Sequence, residues 1–358
     1  MNLKTKNLER IRRFNMSYKK LFFVLVLLLT VSSLEILAGG KDRAGTAGAQ
    51  ELLIPIGARG TALGGSFITS ATGVDALFWN PAGISGSNAG AEAMFSHLSH
   101  IADIGVSAFG VTATFGEIGT FGFSLRALSF GDIPLTTVYN PDNSNITFSP
   151  AYTTLGVTYS KALSDRVRTG ITFNFINETI DAVSASGFGF DVGVQYFGLA
   201  GIRGLRLGLV VKNLGTQMKF DGGGLFRQVH DDDTENPTGT LKKIDAAVVE
   251  LPSYFEIGLG YELALQEDHK LNFATSFMNN NYSSDQFKLS AEYTFKEILY
   301  LRGSYEMVAD EPDDYLFGPA FGVGLHYVAG GLGIGIDYAY RVLDVFDGNH
   351  VVTIKLAF

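Results

Sequence analysis

Residues 254–265 read YFEIGLGYELAL, and their side chains alternate between two kinds. One set is large and apolar: Phe255, Ile257, Leu259, Tyr261, Leu263 and Leu265. The other set is mostly small or acidic: Tyr254, Glu256, Gly258, Gly260, Glu262 and Ala264. Because successive side chains of a β-strand point to opposite faces of a sheet, this stretch predicts a strand with one apolar face and one polar face.

The same alternation recurs along most of the chain, for example at residues 188–196 and 332–342. The runs are long for a soluble protein, whose strands average about five or six residues, and they match the 9–11 or so that a tilted strand needs to cross a bilayer. Many apolar faces end in tyrosine, which is typical of the membrane–water interface: Tyr159, Tyr196, Tyr338 and Tyr340. A soluble sandwich would also alternate, but run length and aromatic ends favour a transmembrane barrel.

Fourteen such runs are predicted, at residues 89–98, 103–115, 119–130, 150–160, 165–180, 186–199, 204–216, 251–265, 269–279, 285–296, 297–308, 318–328, 332–342 and 350–358. An even strand number is typical of bacterial outer-membrane barrels. The sheet must close, because an open edge in hydrocarbon leaves unpaired N–H and C=O groups. The sequence therefore predicts an all-β fold, a monomeric 14-stranded antiparallel transmembrane β-barrel over residues 89–358, in contact with outer-membrane lipid.

The predicted connections differ on the two sides of this barrel. After even-numbered strands they are tight, at residues 116–118, 162–164, 200–202, 266–268 and 329–331. After odd-numbered strands several are long, at residues 131–149, 217–250, 309–317 and 343–349, although the others on that side are short. Short periplasmic turns and longer external loops are typical of transmembrane barrels. Since loops on a rigid scaffold commonly carry binding, loop 217–250 is the predicted partner-contact region.

The last run ends in an aromatic residue at the C-terminus. Its apolar side chains share one face: Val352, Ile354, Leu356 and Phe358. An amphipathic last strand with a terminal aromatic residue resembles the signal by which outer-membrane barrels are recognised for insertion. We therefore predict that these four residues form a barrel-insertion signal.

The N-terminus has the pattern of an export signal. Lys19 and Lys20 precede an apolar run at residues 21–29, and small residues follow at 38–40. This run is too short for a membrane anchor, which needs about 20 apolar residues, so residues 1–38 are predicted to be a signal peptide. Translation could start at Met1 or at Met16, and the exported product is predicted to reach the cell outer membrane.

Residues 56–83 read IGARGTALGGSFITSATGVDALFWNPAG and do not alternate. A fourteen-strand ring is wider than the eight-strand barrel whose interior side chains can fill it. Residues 39–88 are the only segment of the exported chain outside the predicted strands with the length to occupy the lumen. The sequence therefore predicts an N-terminal luminal plug at residues 39–88, with Trp79 either anchoring it or packing in its core.

The non-alternating segment also resembles a known family. The similarity lies in two blocks of residues: Gly57, Ala58, Arg59, Gly64 and Gly65, then Asp75, Trp79, Asn80, Pro81, Ala82 and Gly83. Together with residues 130–134, 212–215 and 337–340, they resemble the PorV/PorQ family of outer-membrane proteins. That family is similar in fold to FadL-type transporters, whose N-terminal segment packs inside a fourteen-stranded barrel.

The resemblance implies two functions. PorV-like members act in type IX secretion, where they bind the C-terminal signal domains of cargo at the cell surface and work with the translocon. FadL-like members instead admit long-chain fatty acids or other hydrophobic compounds. We expect a role in type IX secretion, with hydrophobic uptake as the alternative, and the sequence does not distinguish PorV-like from PorQ-like roles.

Composition and motifs argue against other function classes. The formal net charge is −9, and without residues 1–38 it becomes about −14, which disfavours nucleic-acid binding. Cysteine is absent, so thiolate metal sites are excluded. No nucleophile elbow or phosphate loop is found, and we predict a protein that is neither an enzyme nor dependent on a cofactor.

Three sets of polar residues remain to be assigned. The acidic runs at residues 230–235 and 310–314 could bind calcium, but their spacing favours solvated loops. His97 and His100 would lie on opposite faces of a strand, so a metal pair is not expected. Five inward residues could line a transport route or hold the plug, and we favour the second role: Asp191, Glu256, Glu262, Asp337 and Arg341.

Overall fold

A computed structural model describes residues 43, 45–136, 141, 146–229, 240–308 and 315–358. Residues 39–358 form one compact unit. The predicted signal peptide at residues 1–38 lies outside the described residues. The acidic runs at residues 230–235 and 310–314 lie outside them as well.

Fourteen long strands follow one another along the chain, as predicted. They are β1 Ala91–Ser99, β2 Gly105–Thr114, β3 Thr120–Ser129, β4 Ala151–Ser164, β5 Val167–Ile180, β6 Val183–Phe197, β7 Leu205–Gly215, β8 Tyr254–Gln266, β9 His269–Asn280, β10 Gln286–Phe295, β11 Leu299–Val308, β12 Phe317–Ala329, β13 Leu332–Leu343 and β14 Asn349–Ala357.

Each strand pairs antiparallel with its neighbours in sequence, and the last strand pairs with the first. The closing contact between β1 and β14 runs from Glu92 opposite Ala357 to Ser99 opposite His350. The ring therefore has no free edge, so its backbone groups are paired within the barrel. The predicted closed antiparallel barrel is confirmed.

The two faces of the wall differ as the alternation predicted. On β13, Ile336 is 54% exposed, whereas the adjacent Asp337 is fully buried. On β8, Phe255 is 38% exposed and the adjacent Glu256 is 2% exposed. Large apolar side chains therefore cover the outside of the ring, where a transmembrane barrel meets lipid, and polar side chains point inward.

The connections define two ends of the barrel. We call the end that carries residues 165–166, 267–268 and 330–331 the turn end, and the opposite end the loop end. The tight turn predicted at residues 162–164 is wrong, because β4 continues to Ser164, which pairs with Val167 past a bulge. The turn occupies residues 165–166 instead.

Two long loops at the loop end contain short strand pairs of their own. The β3–β4 loop pairs Ile133–Pro134 with Thr147–Phe148. The β7–β8 loop pairs Phe226–Val229 with Thr240–Lys243, and Met218–Lys219 with Val248–Val249. These loops therefore extend the polypeptide beyond the barrel on one side only.

Residues 50–86, which we call the inner segment, fold into short helical pieces. They are α1 Ala58–Ala62, α2 Ala76–Trp79 and 3₁₀ turns at Gln50–Leu53, Ser66–Thr69, Gly73–Asp75 and Pro81–Gly86. Glycines with positive φ flank α1, with φ of 85° at Gly57 and 55° at Gly64, which keeps the helix short. No helix in the described part of the chain is both long and apolar enough to cross a bilayer.

The inner segment lies against the inward faces of all fourteen strands. Its apolar side chains are almost fully buried, for example Ile56, Phe67 and Ile84, and they form one core with Met94 and Leu98 of β1. The hydrophobic core of the molecule is therefore inside the ring, built largely from residues that do not belong to the barrel wall.

Candidate functional site

The first block of motif residues attaches α1 to the wall of the barrel. The Ala58 N–H donates to Thr353 Oγ1 of β14 over 2.8 Å. The Arg59 guanidinium donates twice to the Glu292 carboxylate of β10, over 2.9 and 3.1 Å. Such a two-bond geometry fixes the orientation of the guanidinium as well as its position. The residues that resemble the family motif thus anchor α1 on two separated strands.

The Arg59–Glu292 pair belongs to a larger network of buried charges. Arg302 donates to Glu292 over 2.7 Å and to Asp337 over 2.5 Å. Lys355 lies 2.9 Å from both Asp337 and Asp75, and Asp75 is also 3.9 Å from Arg59. Three cations face three carboxylates, so each buried charge has a partner of opposite sign, which is what keeps buried ions tolerable.

Burial opposes the positive charge on Arg59, but the carboxylates of Glu292 and Asp75 outweigh that effect and raise the pKa of Arg59. The side chain is therefore charged at every accessible pH. Its ion pair is a permanent link between the inner segment and β10.

Trp79 packs across the middle of the inner segment. Its indole N–H donates to the Ile56 carbonyl over 2.8 Å, and its ring lies 5.6 Å from the Phe67 ring. Gly60 and Gly65 lie directly against the indole, and a Cβ at either position would collide with it. The glycines of the motif are therefore needed for the close approach of Trp79. Trp79 is half-buried at the edge of this core. The same packing contacts would serve either of the roles predicted for it, anchoring the segment or filling its core.

The Asn80–Gly83 turn is the most completely bonded part of the second block. The Asn80 amide donates to the carbonyls of Ile68 and of Val194 on β6, over 2.9 and 3.3 Å. Its oxygen accepts from the Ala82 N–H over 3.2 Å. The Ala82 carbonyl accepts from Ser160 of β4, and Gly83 lies so close to the Ala71 carbonyl that no side chain fits. This turn therefore joins the inner segment to β4 and β6.

The hypothesis that five inward residues hold the inner segment by hydrogen bonds and ion pairs is wrong for these five residues. Each of the five bonds to other wall residues instead: Asp191 to Asn174 and Asn213, Glu256 to Ser276 and Lys288, Glu262 to Arg206, Asp337 to Arg302, His326 and Lys355, and Arg341 to Glu306. Adjacent strands bring these partners within reach of one another, so most of these charges are neutralised inside the wall.

Other inward residues make the contacts that hold the inner segment. Gln195 donates to the carbonyls of Ile68 and Ala71, over 3.0 and 2.9 Å. Lys212 donates to the Phe78 carbonyl over 2.8 Å, and Arg126 donates to the Glu51 carbonyl over 2.6 Å. These bonds tie backbone carbonyls of the inner segment to β3, β6 and β7. Their place on the polar face was visible in the sequence, but their partners were not.

A buried acid lies where the inner segment begins. Glu51 is 4% exposed, and burial together with the nearby Glu178 raises its pKa to about 8. A protonated carboxyl can donate a hydrogen bond to a neighbouring carboxylate, which lowers the repulsion between the two. The charge of Glu51 therefore changes near neutral pH.

The four residues of the predicted insertion signal share the outer face of β14. Val352 and Ile354 are each 46% exposed, and Leu356 and Phe358 are also exposed. The Phe358 N–H donates to the Ala91 carbonyl, which ties the C-terminus to the start of β1. This placement fits the predicted pattern, and the recognition role remains a prediction.

A cavity of about 460 Å³, which we call the loop-end pocket, lies between the inner segment and the loop end. Its apolar wall comes from Leu53, Ile54, Trp79 and Phe317. Arg341 and Tyr315 lie at its polar side, where both bond to Glu306. Burial and the Glu306 carboxylate raise the pKa of Tyr315, which stays neutral. An apolar cavity of this size with a few fixed polar groups is typical of small-ligand and side-chain binding.

A second cavity of about 390 Å³ lies on the opposite side of the inner segment, towards the turn end. Charged and apolar side chains both line it, among them Arg59, Asp75 and Lys355 on one side and Val328 and Ile334 on the other. α1 lies between the two cavities, since Arg59 borders one and Thr61 borders the other. The inner segment therefore contributes to the walls of both cavities.

The histidines predicted not to form a metal pair have other partners. His97 bonds to Ser107 over 3.0 Å, and His100 bonds to Asn349 over 3.1 Å. Burial lowers the pKa of His100, which favours its neutral form. Within the described ranges, no group of three or more acidic or histidine side chains has the geometry of a metal site.

Comparison with known proteins gives one family and several related folds. Residues 38–232 match the family described as type IX secretion system protein PorV. No curated protein matches the sequence significantly. Among solved structures, the Pseudomonas putida toluene transporter TodX superposes with a TM-score of 0.51 at 12% identity, over 80% of this chain and 94% of that chain.

Two further structures are similar to the same degree. The Ralstonia pickettii toluene transporter TbuX gives a TM-score of 0.52 at 12% identity, over 84% of this chain and 98% of that chain. A Pseudomonas aeruginosa FadL homologue gives 0.51 at 11% identity, over 85% and 98%. At such identities the likeness concerns the fold, a FadL-like outer-membrane β-barrel.

Proposed function

The chain belongs to the family of the type IX secretion system protein PorV, and from this membership we propose that it is a non-enzymatic partner protein of type IX secretion. In this proposal it binds the C-terminal domains of cargo, the translocon, or both, through the loop end of the barrel. The loop end faces the cell exterior and the turn end faces the periplasm, in keeping with the usual asymmetry of outer-membrane barrels.

The observation that carries the proposal is a set of exposed apolar side chains on the long loops. Outside the barrel strands, seven large apolar residues of the two loops are 37–65% exposed: Ile133, Leu135, Ile146, Phe226, Leu241, Ile244 and Val248. Apolar side chains on the strands can face lipid, but those on loops beyond the barrel face water. Phe226, Leu241 and Ile244 belong to or directly follow one short strand pair, and exposed apolar side chains grouped in this way are typical of a protein-binding site.

The proposal also gives the N-terminal residues inside the barrel a role. We assign residues 39–88 the role of a plug that closes the lumen and supports the loop end from below. Arg43 supports this role, because it donates to Glu250 of the β7–β8 loop over 2.6 Å and to the Tyr282 hydroxyl over 2.8 Å. The Gly48 N–H also donates to the Glu250 carbonyl, so the start of the segment is joined to the loop that carries the apolar side chains.

The binding role is tested with purified protein and an isolated cargo C-terminal domain. The variant L241D/I244D removes two exposed apolar side chains, and we expect its affinity for the domain to fall about tenfold or more. The matched control G223D/T240D adds the same charge to the same loop without removing apolar surface, since a Cβ at Gly223 meets no other atom within 4 Å. Equal binding by both variants would contradict the proposed surface.

The loop-end pocket favours a second candidate function, the uptake of hydrophobic compounds. Its apolar wall and its volume of about 460 Å³ suit a small aromatic or aliphatic molecule. Transport requires passage beyond α1 to the second cavity. Growth of a deletion strain on fatty acids or hydrocarbons tests this function, and unchanged growth and uptake would exclude it.

A further inference from the structure

A cluster of four arginines lies at the turn end, away from the features discussed above. Arg166 and Arg203 belong to the β4–β5 and β6–β7 connections, and Arg168 and Arg206 begin β5 and β7. Arg166, Arg203 and Arg206 line a cavity of about 350 Å³, which we call the arginine pocket. Phe197 forms part of the same wall.

The strand register brings these residues together. The Phe197 N–H donates to the Arg166 carbonyl over 2.8 Å. Phe197 is directly opposite Arg206 across the β6–β7 pair. The Arg168 guanidinium lies 4.5 Å from the centre of the Phe197 ring, and that of Arg206 lies 5.8 Å from it. Phe197 therefore makes cation–π contacts with Arg206, which lines the pocket, and with Arg168, which does not.

The positive charge of the pocket is largely uncompensated. Arg206 pairs with Glu262, which also lines the pocket. Within the described residues, Arg166, Arg168 and Arg203 have no carboxylate at ion-pair distance, although Asp165 is the sequence neighbour of Arg166. The chain as a whole is acidic, with a net charge of −9. A local excess of arginine on such a protein creates a focused site for an anion.

The position of the pocket indicates which class of anionic ligand could reach it. Arg168, Phe197 and Arg206 each lie two positions from a residue that contacts the inner segment, so they are on the inward face of their strands. Those residues are Gly170, Gln195 and Gly208. The pocket therefore opens at the mouth of the lumen and not on the lipid-facing wall, which disfavours a lipid headgroup. Its volume exceeds that of a single phosphate, and the Phe197 ring offers an apolar surface for methylene groups.

We propose that the arginine pocket binds an acidic peptide segment of a protein on the turn-end side of the membrane. Two or more carboxylates of that segment pair with Arg166 and Arg203, and the side-chain stems pack on Phe197. Guanidinium groups suit this task because they hold carboxylates in a two-bond geometry. The proposal does not depend on the cargo-binding role of the loop end.

The test uses the full chain in detergent micelles and fluorescein-labelled hexaglutamate, with binding followed by fluorescence polarisation at low salt. The variant R166Q/R203Q removes two exposed turn charges, and its fold is checked by heat-modifiable gel migration. We expect its affinity to fall about tenfold or more, because several charged contacts are lost together. The control K161Q/K296Q removes the same charge from exposed positions at the same end, outside the pocket, and should bind as the wild type does.

Three results would overturn the proposal. The first is that hexaglutamate does not bind the wild-type protein. The second is an equal loss of affinity in both variants, which would mean unspecific attraction by the turn end. The third is displacement of the peptide by an equimolar amount of inorganic phosphate or of dihexanoyl phosphatidylglycerol, which would mean that a small oxyanion or a lipid headgroup is the preferred ligand.

Discussion

Arg59 of α1 and Glu292 of β10 form a buried two-bond ion pair, with N–O distances of 2.9 and 3.1 Å. The two residues are 233 positions apart in the chain. This pair links the segment that carries the family resemblance to the wall that surrounds it. Its removal is therefore the sharpest test of how the inner segment is held.

The variant R59A is expected to lower the free energy of unfolding by about 3–5 kcal/mol, because it leaves the buried carboxylate of Glu292 with one cation fewer. The measurement is guanidinium unfolding in detergent, followed by intrinsic fluorescence. The double variant R59M/E292L removes both charges and should be less destabilised than R59A. As a control, R43A breaks the exposed Arg43–Glu250 pair and should lower the midpoint much less than R59A does. An R59A midpoint equal to that of wild type would show that the ion pair does not hold the segment.

Asn80 is predicted to be essential for the turn that follows α2. Replacement by alanine removes two donated hydrogen bonds and one accepted bond at a fully buried position, at a cost of about 1–3 kcal/mol in unfolding free energy. The matched control is N281A, since Asn281 is exposed and donates one side-chain bond to Ser253. If the two variants unfold at the same denaturant concentration, the bonds of Asn80 do not stabilise the inner segment.

Trp79 is the only tryptophan of the chain, so its fluorescence reports on the inner segment alone. In G60V the new side chain collides with the indole, and we expect an emission shift to longer wavelength with a loss of about 1–3 kcal/mol in stability. The control G223V places the same side chain in open space, where emission should not change. An unshifted spectrum in G60V would contradict the close packing of Gly60 and Trp79.

The stability of the barrel is expected to depend on pH through Glu51. Its pKa is about 8 in the folded protein, above the ordinary value of 4.5, so the folded state holds the proton more tightly. The resulting stabilisation is fully present below about pH 4.5 and is lost as the pH rises through about 8. Unfolding midpoints should therefore fall between pH 5 and pH 9, and E51Q should weaken that dependence.

Glu250 provides the control for this pH effect. Hydrogen bonds from Tyr282, Arg43 and Gln217 lower its pKa to about 2, so its contribution is lost only as the pH falls below the ordinary carboxyl range. The variant E250Q should therefore keep the wild-type slope between pH 5 and pH 9. A wild-type midpoint that does not change across this range would contradict the raised pKa of Glu51.

The barrel could be predicted from the sequence because the alternation within each strand shows which side chains form its apolar face and which form its polar face. On β8 and β13 the alternation alone separates Phe255 from Glu256 and Ile336 from Asp337, and the observed exposure agrees. Strand ends are predicted less well, as β4 shows, because Ala162 and Ser164 pair with β5 although the pattern predicts a turn at residues 162–164. The sequence pattern of one strand does not show how far its pairing with the neighbouring strand continues.

The contacts of the inner segment could not be predicted in the same way. Asp337 and Glu292 are both inward acids, yet only Glu292 bonds to Arg59, because partner choice depends on which strands face α1 across the lumen. The motif residues were found as a group from their resemblance to a family. Their separate tasks, such as the bond from Asn80 to β6, follow only from the folded arrangement.

The central claim, a role in type IX secretion, is tested most directly by measuring the surface display of proteins that carry type IX C-terminal domains. A strain without this gene should lose that display, and the wild-type gene and the G223D/T240D control should restore it. The L241D/I244D variant, although assembled in the outer membrane, should fail to restore it. Normal display in the deletion strain would contradict the account.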